Sequence, residues 1–165
     1  MENSRSRSGP VVIAYDGTAS GDLAIRESGE LLAGRPAIVL VVWKEGLGFE
    51  LSASAAATGG LPLAPIDTRT AVEVDQANAE RAQHAADRGA GLAREAGFDA
   101  EGLAVADEVD IPVAETIVEL ARERGAQAVV VGAHRHGRLS EVVLGSTSRD
   151  VVRHAPCPVV VVRER

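Results

Sequence analysis

Short, continuously apolar segments recur along this 165-residue chain, at Val11 to Tyr15, Ala37 to Trp43, Gln127 to Gly132 and Val159 to Val162. None alternates apolar with polar positions, so each predicts a strand covered on both faces, as in a parallel sheet. Phe98 to Ala106 is less apolar and predicts a strand at the sheet edge. Helical signals fill the intervals. Ser20 and Asp22 supply a cap and a first-turn acid for a helix that runs to Ala33 and stops at Gly34. From Thr70 to Ala96 the apolar or small positions 71, 74, 78, 82, 85, 89, 92 and 96 advance by threes and fours, the stripe of one long helix. Gly89 and Gly91 inside it weaken it by roughly 1 kcal/mol each relative to Ala, which predicts that both are kept for close packing on the sheet. Asp110 and Pro112 open the next helix, whose core face is Val113, Ala114, Ile117, Val118 and Ala121 and whose end is Gly125. A final helix from Ser146 to His154 is stopped by Ala155-Pro156-Cys157-Pro158.

Strands alternating with helices in this order predict an α/β fold, a single doubly wound domain. Its five-stranded parallel sheet has the order 3-2-1-4-5 and helices on both faces. The domain runs over residues 10–165, behind a polar tail at 1–9 that is expected to be disordered. Ligands of such sheets bind beyond the carboxyl ends of the strands, where the order reverses. That crevice would bring together Asp16, the end of the second strand and the segment from Gly132 to Ser146. Lys44 to Asp67 has no period and is rich in Gly, Pro and Ala. A connection of that length is either functional or disordered, and its apolar residues Phe49, Leu51, Leu61 and Leu63 predict a cover for the sheet edge.

Composition narrows the function. With 45% apolar but only 2% aromatic residues, the core must be built from Val, Ala, Leu and Ile, which suits closely approaching helices and sheet. A net charge of −7 argues against a nucleic-acid partner, because duplex binding depends on neutralising phosphates with Lys and Arg. Lys44 is the only lysine, and the arginines are interspersed with acids. The single cysteine, Cys157, excludes an internal disulfide and a four-thiolate zinc site, and points to a reducing cytoplasm. Neither a signal-like segment nor a run of about 20 apolar residues is present, so no membrane association is expected.

Candidate chemistry concentrates between Ala128 and Ser148. A valine strand ends at Gly132, a loop with His134, Arg135, His136 and Gly137 follows, and Gly145 opens into Ser146-Thr147-Ser148. Strand, loop and helix amino terminus in that order present backbone N–H groups to a phosphate. Two histidines on a loop make a weak metal motif. Cys157 reads as a small core residue rather than a nucleophile. No nucleophile, base and orienting acid can be assembled, and there is no GxxxxGK[ST] loop, so any hydrolysis of a bound phosphate compound would be slow and incidental.

Taken together, Val12-Ile13-Ala14-Tyr15-Asp16-Gly17, Val130-Val131-Gly132-Ala133-His134, Leu144-Gly145-Ser146-Thr147-Ser148 and His154-Ala155-Pro156-Cys157-Pro158-Val159 resemble the universal stress protein family. The resemblance covers about Pro10 to Arg163. It implies a homodimeric, cytoplasmic, stress-response protein that binds ATP or a related adenine nucleotide, with Mg a possible companion. In nucleotide-binding members a glycine is followed after two residues by a second glycine and, after nine more, by a third and then Ser or Thr. Here the first is Gly132, the third Gly145 and the hydroxyl residue Ser146, while the second position holds Arg135. By the same resemblance Asp16 holds ribose or adenine, Ala14 packs by the base, and Val42 offers backbone groups to the adenine edge. Val131 and Thr147 complete the set. Arg135 leaves two readings open: a guanidinium that contacts phosphate, or a side chain that blocks the pocket and leaves a nucleotide-free homodimeric interaction module. The four valines Val159-Val162 would pair with their copy in a second subunit.

Overall fold

A computed structural model describes residues 9–46, 68–108, 110–133 and 144–163. The tail before Gly9, the segment from 47 to 67, and His134, Arg135, His136 and Gly137 lie outside the described residues. The elements in chain order are β1 (Val11–Ala14), α1 (Ala19–Leu32), β2 (Pro36–Glu45), α2 (Thr68–Glu95), β3 (Asp99–Glu108), α3 (Val113–Glu123), β4 (Ala128–Ala133), α4 (Ser146–His154) and β5 (Val159–Arg163). They build one five-stranded sheet, every pairing parallel, in the order β3-β2-β1-β4-β5. The sheet order and the edge position of the third strand agree with the hydrophobic pattern.

Both faces of the sheet are covered, which is why its central strands carry no polar alternation. Val11, Ile13, Val39 and Val130 point to one core together with Ala24 and Ile25 of α1 and Ala82, Ala86, Ala90 and Ala93 of α2. Val12, Ile38, Leu40, Val129 and Val131 point to the other, under Ile117 and Leu120 of α3 and Val151 of α4. Ile13 is fully buried between its neighbours, worth about 1.5–3 kcal/mol on the usual scale of aliphatic burial.

Three local readings change. The cap of α1 is Thr18, whose side chain accepts from the Gly21 amide, so Ser20 falls inside the helix and is buried. Along α2 the buried seam runs through Ala82, Ala86, Ala90 and Ala93, while Val74 is exposed. Alanines occupy so many positions of this helix that hydrophobicity alone defines its face poorly. A Cβ on Gly89 would lie 2.7 Å from Val39 Cγ1 and 2.8 Å from Tyr15 Cδ1, so close packing accounts for that glycine. At Gly91 a Cβ would meet nothing within 4 Å among the described residues, whose packing does not account for it. Finally, α3 begins after Pro112 with no side-chain cap, so Asp110 does not cap it.

Parallel β2 and β3 stay paired from Pro36 with Asp99 to Glu45 with Glu108, whereas β1 pairs with β2 only as far as Ala14 with Leu40. The two long strands therefore rise beyond the end of β1 and form one side of the crevice. Among the described residues no helix is long and apolar enough to cross a membrane.

Candidate functional site

Above the carboxyl ends of β1 and β4 lies a cleft of about 490 Å³, within the roughly 300–1,000 Å³ of small-molecule sites. Ala14, Asp16, Val42, Val131, Gly132, Gly145, Ser146 and Thr147 all line it, so every candidate ligand residue except Arg135 meets in one place. Arg135 lies outside the described residues. The cleft also takes in residues that the sequence pattern assigned elsewhere. Val113 and Ile117 of α3 and Leu40 of β2 form an apolar wall, and Tyr15, Ser20 and Ser148 add polar groups. The spacing of Val113 and Ile117 marks a core face, and only the fold turns the first turns of that face toward the crevice.

Each side of the cleft has an identifiable support. Opposite the apolar wall, α4 starts at Gly145, which has an extended ψ of 163° and no side-chain cap bond, and its first turn has no acidic residue. The amino end of this helix thus keeps its partial positive charge, worth about 0.3–2 kcal/mol toward an adjacent anion. The Ser148 hydroxyl donates to the Gly132 carbonyl at 2.8 Å and ties this first turn to the end of β4. A Cβ on Gly145 would meet nothing within 4 Å among the described residues, and its φ of −57° is open to any residue. At Gly132 a Cβ would make only ordinary contacts, 3.6 Å from Ser20 Oγ.

On the β1 side, the Asp16 carboxylate accepts from the Thr18 amide at 3.0 Å and from the Thr18 hydroxyl at 2.6 Å, which fixes the turn into α1. The neighbouring Tyr15 hydroxyl donates to Asp22 Oδ1 at 2.5 Å. Burial, and then the Asp22 carboxylate as acceptor and as charge, push the Tyr15 phenol up to about 12. At the far wall, Lys44 Nζ donates to the Ile111 carbonyl and lies 3.5 Å from Asp107 Oδ2, which also accepts from the Thr116 hydroxyl. This buried acid joins the ends of β2 and β3 to the start of α3 and so steadies Val113 and Ile117. The only charged side chain among the described lining residues is Asp16.

Such a cleft, apolar on one side and lined by hydroxyls and an uncapped helix end on the other, suits a ligand with a flat apolar part and an anionic end. Comparisons with known proteins place the chain in a family. Residues 8–163 match the family model described as the universal stress protein family. Universal stress protein G of Shigella flexneri is 47% identical over 51 residues, 31% of this chain and 35% of that protein. The chain thus aligns with about a third of the length of such curated relatives. Among solved structures, protein MJ0577 of Methanocaldococcus jannaschii has a TM-score of 0.68 at 19% identity, covering 96% of this chain and 98% of that one. The universal stress protein of Archaeoglobus fulgidus, solved in complex with dAMP, has a TM-score of 0.54 at 20% identity, covering 93% and 96%. At these identities the two structures speak for the fold alone, but the family match spans the cleft and all nine elements, and the chain belongs to the universal stress protein family.

Proposed function

We propose that this chain binds an adenine nucleotide, ATP or a close relative, in the cleft above β1 and β4. The observation that carries the reading is Gly145: among the described residues neither its φ nor its surroundings require glycine, yet the missing Cβ leaves space beside the backbone N–H groups of an amino terminus with no side-chain cap bond. A phosphate approaching that helix end would use the space. The apolar slot between Val42, Val113 and Ile117 fits a base, and Asp16 can accept from ribose hydroxyls or an amino group. The dAMP complex of the Archaeoglobus fulgidus protein supports the choice of adenine. Because the described lining carries no cation, Arg135 is the group we assign to the phosphates, its charge replacing the close backbone approach of a second glycine. Mg²⁺ would accompany a triphosphate, with oxygen ligands as it prefers.

We read the protein as a regulatory binder of the stress response in the cytoplasm, not as a catalyst. Its β5 is an edge strand with Val161 36% exposed, and pairing of Val159-Val162 with a second copy would give a homodimer. Arg135 also supports a second reading, a nucleotide-free homodimer that acts only through protein contacts.

The deciding experiment denatures freshly purified protein, looks for released adenine nucleotide by chromatography, and titrates refolded protein with ATP and magnesium in a calorimeter. Release or a saturable signal supports binding; neither, at millimolar ATP, rejects it. Arg135→Gly then separates the two roles of the arginine. Weaker binding supports the phosphate contact, and stronger binding identifies Arg135 as an obstruction.

A further inference from the structure

Arg88 lies on α2, far in sequence from every cleft residue, and does not itself line the cleft. Its guanidinium nevertheless grips the β1–α1 turn at three points. Nη1 is 3.2 Å from Asp22 Oδ2 and Nη2 is 3.1 Å from Asp22 Oδ1, while Nη2 also donates to the Gly17 carbonyl at 2.9 Å and to the Tyr15 hydroxyl. The guanidinium carbon stands 5.5 Å from the centroid of the Tyr15 ring. Gly17, at a φ of 79°, is the residue between Asp16 and its partner Thr18. Tyr15 and Asp16 are cleft residues. A planar fork of donors can hold a carboxylate, a carbonyl and a phenol at once, which a single ammonium cannot.

We propose that Arg88 is the positioning residue of the ligand turn: by clamping Gly17, Tyr15 and Asp22 it sets the Asp16 carboxylate in the cleft and so determines how the site reads the sugar of its ligand. The proposal rests on the adenine-nucleotide reading above. Within the turn Asp16 is tied to Thr18 and Thr18 to the Gly21 amide, and the Gly17 carbonyl between Asp16 and Thr18 is held by Arg88 from α2. Without Arg88, Gly17, which has no side chain to restrain it, would allow the turn to rotate and take Asp16 out of register with a ribose hydroxyl.

The test measures AMP and dAMP affinity by calorimetry for the wild type, Arg88→Met, Arg88→Lys and Arg81→Met. Arg81 is an exposed residue of the same helix bonded to Asn78, so its loss reproduces the charge change without touching the turn. The wild type is expected to favour AMP over dAMP by about tenfold, the worth of one charge-assisted hydrogen bond. Arg88→Met should lose about tenfold in AMP affinity and bring the AMP-to-dAMP ratio close to one. Arg88→Lys should fall between, and Arg81→Met should match the wild type. Equal loss for both nucleotides, an unchanged ratio in Arg88→Met, or no preference in the wild type overturns the proposal. Ligand-free hydrogen exchange gives an independent reading: the Thr18 amide should exchange faster in Arg88→Met, and unchanged protection overturns the positioning role even where nucleotide binds. A folded wild type that binds neither nucleotide removes the nucleotide reading, and this proposal with it.

Discussion

The Ser148 hydroxyl donates to the Gly132 carbonyl across 2.8 Å, linking the first turn of α4 to the last residues of β4 from opposite ends of the loop that separates them. Ser148 is buried and its bond part-buried at the edge of the cleft. Ser148→Ala is expected to cost about 1 kcal/mol, the usual net worth of such a bond. By the size scaling of melting this lowers Tm by about 2–4 °C. Thermal melts monitored by circular dichroism check it.

Gly145→Ala separates folding from binding. Open space among the described residues and an ordinary φ leave room for the methyl, and the melting temperature should stay within about 2 °C of the wild type. Nucleotide affinity should fall by about tenfold or more, because the Cβ occupies the approach to the helix end. Calorimetric titration with ATP, set beside the melting curve, reads both; retained affinity would remove Gly145 from the site.

Gly89 and Gly91, two residues apart on α2, should respond with opposite sign. Gly89→Ala drives a methyl into Val39 and the Tyr15 ring and should destabilise by about 1–3 kcal/mol. Gly91→Ala has room and gains helix propensity, so it should stabilise by up to about 1 kcal/mol. Urea denaturation of the two variants provides the comparison.

Tyr15 is the only tyrosine, so its ionisation can be followed directly by ultraviolet absorbance. Burial and the Asp22 carboxylate raise its phenol from 10.0 to about 12 in the folded protein. The folded state therefore prefers the protonated phenol. Its contribution is complete below pH 10 and is lost as pH rises toward 12. The upper bound is on the order of 2–3 kcal/mol. Tyr15→Phe should flatten the part of the stability profile that falls across this window, measured by urea unfolding at successive pH values.

Val161 tests the association state. It is an exposed valine on an edge strand, and Val161→Asp places a charge where a second copy would pair. The wild type should sediment as a dimer and the variant as a monomer with unchanged circular dichroism. A wild-type monomer would end the proposal of a β5 interface.

Strand positions were legible because the central buried runs are unbroken by polar residues, as at Val11 to Ala14 ahead of Asp16-Gly17 and at Val129 to Val131, although β4 continues through Gly132 to Ala133. Parallel order followed from the alternation with helices. That Gly132 and Gly145 to Thr147 line one cleft was legible for a similar reason, since the end of a central strand and the start of the following helix meet at the same edge of such a sheet. What stayed hidden depends on distance along the chain. Nothing local in sequence connects Arg88 to Gly17, or Lys44 to Ile111 and Asp107, because these contacts exist only once α2 and α3 are packed. Thr18 and Ser20 are both good caps, and the choice fell to Thr18, whose hydroxyl both donates to Asp16 and accepts from Gly21. The exposed Val74 shows the limit of periodicity in a helix so rich in alanine.

Strand β1 is flanked by β2, made soon after it, and by β4, made more than a hundred residues later. If the chain pairs its strands as they are made, synthesis through β3 would give a three-stranded sheet whose apolar Val11–Ala14 edge awaits β4. The half-made protein would then carry a sticky strand at what will become its centre, a configuration prone to wrong partners. Synthesis of β4 and α4 closes that edge and builds the second half of the cleft in the same step. On that order of synthesis, the pairing that completes the cleft is the same pairing that covers the central apolar strand.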